Sequence, residues 1–179
     1  MSSLTEMETE KEIVNKVASS PLVTINLEAF IPEGDRVILD IKDQLFQGLI
    51  LREKDFRDFI ANNEWAKYEN KFVAITCSAD AIVPIWAYML IASKLVGIAA
   101  HFVFGNIETL EIDLFKQEIA KHNFEQYQNK PIVVKGCFDR YTPVYAYTEI
   151  TRLLQPYAKS IMYGEPCSTV PIFKQKSGK

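Results

Sequence analysis

Residues 51–106 and 110–165 are two related copies of one unit. Aligned at a fixed offset of 59 residues and without a gap, the copies are identical at 15 of 56 positions, more than shared composition would produce. Because related sequences adopt related backbones, the repeat predicts an internal duplication with equivalent loops in both copies. The identical pairs include Phe56/Phe115, Asn70/Asn129, Asp80/Asp139, Pro84/Pro143, Tyr88/Tyr147 and Gly105/Gly164.

Each copy alternates short apolar stretches with longer helical ones. The pattern predicts strands at 45–51, 72–76, 101–104, 132–135 and 160–163, and helices at 54–62, 84–97, 108–122 and 143–154. Apolar strands separated by helices are typical of a parallel sheet covered on both faces. We therefore predict an α/β fold, a three-layer α/β/α sandwich with a mostly parallel sheet and an internal β-α-β-α duplication.

The N-terminal part has a different pattern. Residues 8–18 predict a short amphipathic helix, so residues 1–20 are assigned to a helix and tail. Alternating stretches at 22–27 and 36–41 are separated by Pro32 and Gly34, which predicts a hairpin or an antiparallel edge. Residues 172–179 are expected to be a flexible C-terminal tail.

Size and charge limit the class of protein. A chain of 179 residues with 48% hydrophobic residues suits one domain, and it can bury a sizeable core. A net charge of −3 gives no support to a nucleic-acid surface. Three cysteines and no visible secretory signal lead us to expect a cytoplasmic protein.

The segment 81–104 contains one charged residue, Lys94, and is long enough to span a bilayer. The matching segment of the second copy carries Arg140, Glu149 and Arg152, which excludes it from a membrane. We therefore predict that helix 84–97 is a deeply covered helix of a soluble protein, without contact to a membrane. Because it is apolar on nearly all sides, burial against a second subunit is expected, which predicts a homo-oligomer.

The cysteines and two matched aspartates all follow predicted strands. In an open parallel sheet the carboxyl ends of the strands form the usual ligand-binding edge. These side chains are therefore expected along one edge, where they form a candidate pocket or thiol site: Cys77, Asp80, Cys137, Asp139, Cys167 and Ser168.

Two kinds of chemistry fit these residues, and each has a structural alternative. Thiolates bind zinc or an iron-sulfur cluster, but no C-x-x-C spacing occurs and free cysteines often only pack in the core. Asp80 and Asp139 are a candidate acid and base pair, although an aspartate before a helix more commonly binds its free amides. The glycine-rich phosphate loops of nucleotide-binding proteins are missing.

Three segments resemble a bacterial family known as the domain of unknown function 2480. They are residues 45–57 (LFQGLILREKDFR), 77–89 (CSADAIVPIWAYM) and 157–174 (YAKSIMYGEPCSTVPIFK). The resemblance extends over residues 13–174. It implies no activity, cofactor or catalytic residue.

Without a catalytic motif, the sequence favours a non-catalytic binding or scaffold domain, dimeric and acting through a surface. One alternative is a metal-, iron-sulfur- or thiol-dependent protein that uses Cys77, Cys137 and Cys167. A second alternative is a small-molecule enzyme that uses Asp80 and Asp139 as acid and base.

Overall fold

The computed structural model describes residues 22–135 and 141–176. In these residues the chain forms seven strands and four α-helices. The strands are β1 (Val23–Asn26), β2 (Arg36–Asp40), β3 (Phe72–Thr76), β4 (His101–Phe104), β5 (Pro131–Lys135), β6 (Ser160–Glu165) and β7 (Ser168–Lys174). The helices are α1 (Glu53–Asn62), α2 (Ile85–Leu95), α3 (Ile107–Ile119) and α4 (Val144–Leu154).

The strands form two sheets, and most of their pairings are parallel. One sheet has the order β2-β3-β4 and the other the order β1-β5-β6-β7. Only the β6–β7 pair is antiparallel among the described strands. The predicted mixed α/β fold with mostly parallel strands is confirmed, but the strands are divided between two sheets.

The predicted N-terminal hairpin or antiparallel edge is wrong, although β1 and β2 each lie at the edge of a sheet. β1 pairs in parallel with β5, with Val23 opposite Ile132, whereas β2 pairs in parallel with β3 in the other sheet. Between them lies the 3-10 turn Leu27–Phe30, whose two end residues are buried. An alternating pattern identifies a strand, but the pairing partner is decided by which distant strand buries its apolar face.

The same elements recur at the offset of 59 residues. It relates β3 to β5, α2 to α4 and the start of β4 to that of β6. Asn70 and Asn129 both adopt a left-handed backbone conformation. Their amides donate to the carbonyls of Ile98 and Tyr157, which are also 59 residues apart, at 3.0 and 2.9 Å.

Local sequence explains where the helices begin. The Asn106 side chain accepts a hydrogen bond from the Thr109 amide at 2.9 Å and caps α3, as asparagine commonly does. Helices α2 and α4 follow Pro84 and Pro143, which stand at the N-cap positions in an extended conformation. The predicted helices began at these prolines, whereas the observed helices begin one residue after them.

Helix α3 packs against both sheets. Leu110 and Leu114 form a buried cluster with Ala74 of β3. Phe115 and Ile119, on the other side of the helix, belong to the core shared by β1, β5 and α4. The helix therefore connects two hydrophobic cores.

Three predicted elements need correction or lie outside the described residues. Residues 45–51, predicted as a strand, form a tight turn with single bridges, because Gln47 and Gly48 have positive φ. Residues 172–174, predicted as tail, belong to β7, where pairing with β6 satisfies their backbone groups. The predicted helix at 8–18 lies outside the described residues.

The apolar segment 81–104 does not form a membrane-spanning helix. Its helix, α2, has 11 residues, about half of what a bilayer requires. Across residues 22–135 and 141–176, no helix is long and apolar enough to cross a membrane.

Glu111 of α3 forms a two-pronged ion pair with Arg36 of β2. The Arg36 Nε donates to Glu111 Oε1 at 2.8 Å, and Nη2 donates to Oε2 at 3.3 Å. A third nitrogen, Nη1, donates to the carbonyl of Gly34 at 2.6 Å. Glu111 is the one buried charged residue in the described part of the chain, so this pair ties α3 to the amino end of the β2 strand.

Replacing Glu111 by alanine is expected to lower the free energy of unfolding by about 3 kcal/mol, because Arg36 would keep a partly buried charge without its carboxylate. Urea unfolding measures the effect. The control Glu53→Ala breaks the Glu53–Arg57 pair, whose side chains are 61% and 57% exposed, and should cost less than about 0.5 kcal/mol. Equal losses in the two variants would contradict the role given to Glu111.

Candidate functional site

The strands β2, β3 and β4 run in parallel, so their carboxyl ends meet at one edge. Asp40 is the last residue of β2, Cys77 and Ser78 directly follow β3, and Phe104 ends β4. This is the type of edge at which open parallel sheets bind ligands. Three of these four residues, Asp40, Ser78 and Phe104, were not among the predicted site residues.

Asp40 holds the loop after β3 in place. Its carboxylate accepts hydrogen bonds from the Ser78 hydroxyl at 2.5 Å, the Ser78 amide at 3.0 Å and the Lys42 amide at 3.0 Å. Burial alone would raise the pKa of Asp40, but the Ser78 hydroxyl and these amides outweigh it and hold the pKa below its ordinary value. The carboxylate is therefore engaged in a structural contact.

Cys77 and Tyr88 lie beside this contact. Cys77 is half-buried and packs against the core of the β2–β4 sheet, with its sulfur 3.8 Å from the carbonyl oxygen of Ala79. Burial raises the pKa of Tyr88, and the ionised forms of Cys77 and Asp40 raise it further. The Tyr88 ring contacts Phe104 edge-on, with centroids 4.7 Å apart. Cys77, Tyr88 and Phe104 therefore lie close together, and their contacts are packing contacts.

The predicted site residues are only partly placed by the structure. Asp80 is exposed, and the cap of α2 is Pro84 without a side-chain hydrogen bond. The capping role expected for Asp80 is therefore wrong, because the helix begins five residues after it, at Ile85. Cys137 and Asp139 lie outside the described residues.

Cys167 and Ser168 belong to the other sheet. Cys167 is exposed in the turn that joins β6 to β7, and Ser168 is the first residue of β7, opposite Glu165. In the described ranges, 22–135 and 141–176, no three His, Cys, Asp or Glu side chains are grouped to hold a metal. A shared metal site would therefore depend on Cys137 or Asp139.

The corresponding edge of the second sheet has different contacts among the described residues. Lys135 and Glu165 form an ion pair at 2.9 Å, and Tyr147 contacts Tyr163 with centroids 5.8 Å apart. A small cavity of about 110 Å³ lies beneath these tyrosines. A larger cleft of about 460 Å³ lies beside Arg36 and Glu111, which bind each other.

Both histidines have structural partners. The Nε2 of His101 lies 2.7 Å from Asp113 Oδ2, and the Nε2 of His122 lies 2.7 Å from the Tyr127 hydroxyl. His101 is the first residue of β4, and His122 lies three residues after the end of α3.

A large apolar surface borders the β2–β4 edge, and the sequence indicated only the part of it that lies on α2. We call it the apolar rim. Its side chains are 61% to 91% exposed, whereas large apolar side chains are usually buried. They are Leu49, Ile50, Ile82, Ile85, Met89 and Phe104.

The turn at 45–51 explains why part of the rim projects outward. The Phe46 amide donates to the Ile50 carbonyl at 2.7 Å, and Arg52 stacks on the Phe46 ring at 3.1 Å. Ile50 forms a parallel bridge with Ile82, which joins the turn to the segment before α2. The apolar run at 45–51 was a signal for this surface, but it was interpreted as a strand.

Helices α2 and α4 differ on their outward faces, although they occupy equivalent positions in the repeat. The exposed positions of α2 and its C-cap include Ile85, Met89 and Val96. The equivalent positions of α4 and its C-cap are Val144, Thr148 and Gln155. The face that is mostly polar in the second copy is therefore apolar in the first, so the expected complete cover of α2 is not provided by the described chain.

Replacing Ser78 by alanine is expected to lower the free energy of unfolding by about 1 kcal/mol at pH 7. Because the pKa of Asp40 is lowered in the folded protein, its contribution is present above the unfolded pKa of about 4 and is lost as the pH falls through the folded value. The difference between wild type and variant should therefore shrink in acid. Thermal unfolding across pH measures it.

Ser93→Ala is the matched control for this prediction. The Ser93 hydroxyl donates to the Leu90 carbonyl at 2.7 Å, so its removal affects no carboxylate. Its effect should be small and independent of pH. A Ser78→Ala loss that is the same at acid and neutral pH would contradict the role given to Asp40.

Comparisons with known proteins agree with the resemblance seen in the sequence. No curated protein and no solved structure matches the chain. A family described as "Protein of unknown function (DUF2480)" matches residues 11–175, which is most of the chain and includes the β2–β4 edge and the apolar rim. The chain therefore belongs to the DUF2480 family.

Proposed function

We propose that this protein is a non-catalytic binding or scaffold domain that acts through the apolar rim. The observation that carries the proposal is the exposure of six large apolar side chains, 61% to 91% each, along one edge. Contiguous apolar patches on soluble proteins commonly mark interaction sites, because their exposure to water is unfavourable.

The polar groups at the same edge support binding over catalysis. The Asp40 carboxylate is occupied by Ser78 and Lys42, and Cys77 packs against the core. A general base or nucleophile has to be free to reach a substrate proton or a reacting atom. The apolar side chains of the rim are exposed at this same edge.

The cysteines support a cytoplasmic location. The two described cysteines, Cys77 and Cys167, are both unpaired, and free thiols persist in a reducing compartment. A cytoplasmic binding domain of a bacterial family is the location and class that we propose.

Ile85→Glu tests the function of the rim in the cells that make the protein. Ile85 and Val144 are the first residues of α2 and α4. A glutamate at this position is stabilised by the helix dipole. They are 78% and 75% exposed, so Val144→Glu is a matched control. After crosslinking in cells, complexes of the wild type and Val144→Glu should persist, and those of Ile85→Glu should decrease at least roughly tenfold.

The crosslinked products are identified by mass spectrometry and then reassembled from purified components. Binding that depends on Ile85 in the purified system supports the proposal. Complexes that are equally abundant with Ile85→Glu would show that the rim is not the binding surface.

The metal- or thiol-dependent alternative remains a prediction about Cys77, Cys137 and Cys167. Anaerobic purification followed by metal analysis and an absorption spectrum separates it from the binding proposal. A stoichiometric metal or a cluster spectrum that is lost in Cys137→Ser would favour the alternative. The enzyme alternative makes a different prediction, that Asp80→Asn abolishes turnover without affecting the rim.

A further inference from the structure

We propose that the partner at the apolar rim is a second copy of this chain, related by a two-fold axis. This inference rests on the proposed function, because it names the occupant of the same surface. The dimer that it predicts would place the rim of one copy against the rim of the other.

The rim is continuous enough to form one interface. Ile50 and Ile82 are joined by a backbone bridge. Ile85 and Met89 are four residues apart on α2, so they lie on one face of the helix. Phe104 reaches the same region through its contact with Tyr88.

The charge distribution favours a copy of the chain over a charged partner. Between residues 81 and 104 the sequence contains one charged side chain, Lys94. When a charged surface packs against its own copy, like charges face each other across the interface, which is unfavourable. The uncharged rim avoids this cost, and it offers no charge complementary to an acidic or basic partner. The nearest charged neighbours in sequence, Arg52 and Asp80, lie at its borders.

The area of the rim is appropriate for a stable dimer. Six largely exposed side chains of this size present on the order of 500 Å² of apolar surface per copy. A standard stable interface buries about 800 Å² per partner, of which somewhat more than half is apolar. The rim therefore supplies the apolar part of such an interface, and its surrounding polar residues supply the remainder.

The comparison of α2 with α4 favours a closed dimer over a chain of copies. Packing the rim against the equivalent face of α4 would be a head-to-tail contact, which leaves a free rim at each end and extends into filaments. That contact would also bury Arg152, whose guanidinium is engaged by Glu149 at 2.6 Å, together with Thr148. Rim-to-rim packing buries apolar side chains on both sides and closes after two copies.

Light scattering and sedimentation equilibrium of the full chain at micromolar concentration test this inference. The wild type and Val144→Glu are expected at twice the 20.5 kDa of one chain. Ile85→Glu and Met89→Glu would each bury a carboxylate without a partner, and each is expected to raise the dimer dissociation constant at least roughly 30-fold. Far-ultraviolet circular dichroism of all variants checks that they remain folded.

Hydrogen exchange of the wild type is a second measurement that needs no variant. Amides at residues 46–50 and 82–89 are expected to exchange more slowly as the protein concentration rises, and those of α4 should not change. Amides of the rim that exchange independently of concentration would overturn the inference.

Three further outcomes would overturn the two-fold dimer. These are a monomeric wild type at micromolar concentration, a dimer that persists in the Ile85→Glu/Met89→Glu double variant, and an assembly that Val144→Glu disrupts. A monomeric wild type would leave the binding function itself intact, because the crosslinking comparison of Ile85→Glu with Val144→Glu tests that separately.

Discussion

Helix α3 has to bury two faces at once, and the rest of the fold depends on this constraint. Its Leu110 and Leu114 pack on β3, whereas Phe115 and Ile119 enter the core around β5 and α4. The same helix carries Glu111, which binds Arg36 at the start of β2. Two sheets, each with its own hydrophobic core, are therefore joined through one shared helix.

Parallel pairing brings together strands that are separated in the sequence by long crossover connections. β1 comes before the whole first copy of the repeat but pairs with β5 in the second. In the sequence, β2, β3 and β4 therefore lie between β1 and its partner β5. Each sheet combines one strand from before the repeat with strands of a single copy, β2 with β3 and β4, and β1 with β5 and β6.

The two copies differ at their surfaces within this repeated framework. β3 and β5 are similar in burial, since each has three consecutive buried residues. The difference lies outside the core, where the turn at 45–51 and the outer face of α2 expose apolar side chains. A duplicated unit can retain its packing and still differ at the surface of one copy, because surface positions contribute little to the stability of the fold.

Much of the fold was predictable from local pattern. β3, β4 and the four helices lie within a few residues of the predicted positions, because apolar periodicity and the prolines before α2 and α4 are local signals. The pairing of β1 and β2 was not predictable, since an alternating strand contains no information about its distant partner. β7 was missed because Pro171 and a polar C-terminus resemble a tail, and pairing with β6 decides its conformation.

The candidate site was predicted less completely than the fold. The carboxyl edge and Cys77 followed from the predicted alternation of parallel strands and helices, but Asp40 lies 38 residues before Ser78, its hydrogen-bond partner, and nothing local connects them. The apolar residues of the rim were visible in the sequence, yet apolar character does not distinguish a core residue from an exposed one.

The sequence by itself determined the α/β class, the 59-residue repeat and the strongly apolar character of α2, because these depend on residue type and spacing along the chain. Only the tertiary structure decided that there are two sheets, that α3 joins them and that the outer face of α2 is left exposed. The physical reason is that strand pairing and burial depend on contacts between residues distant in sequence.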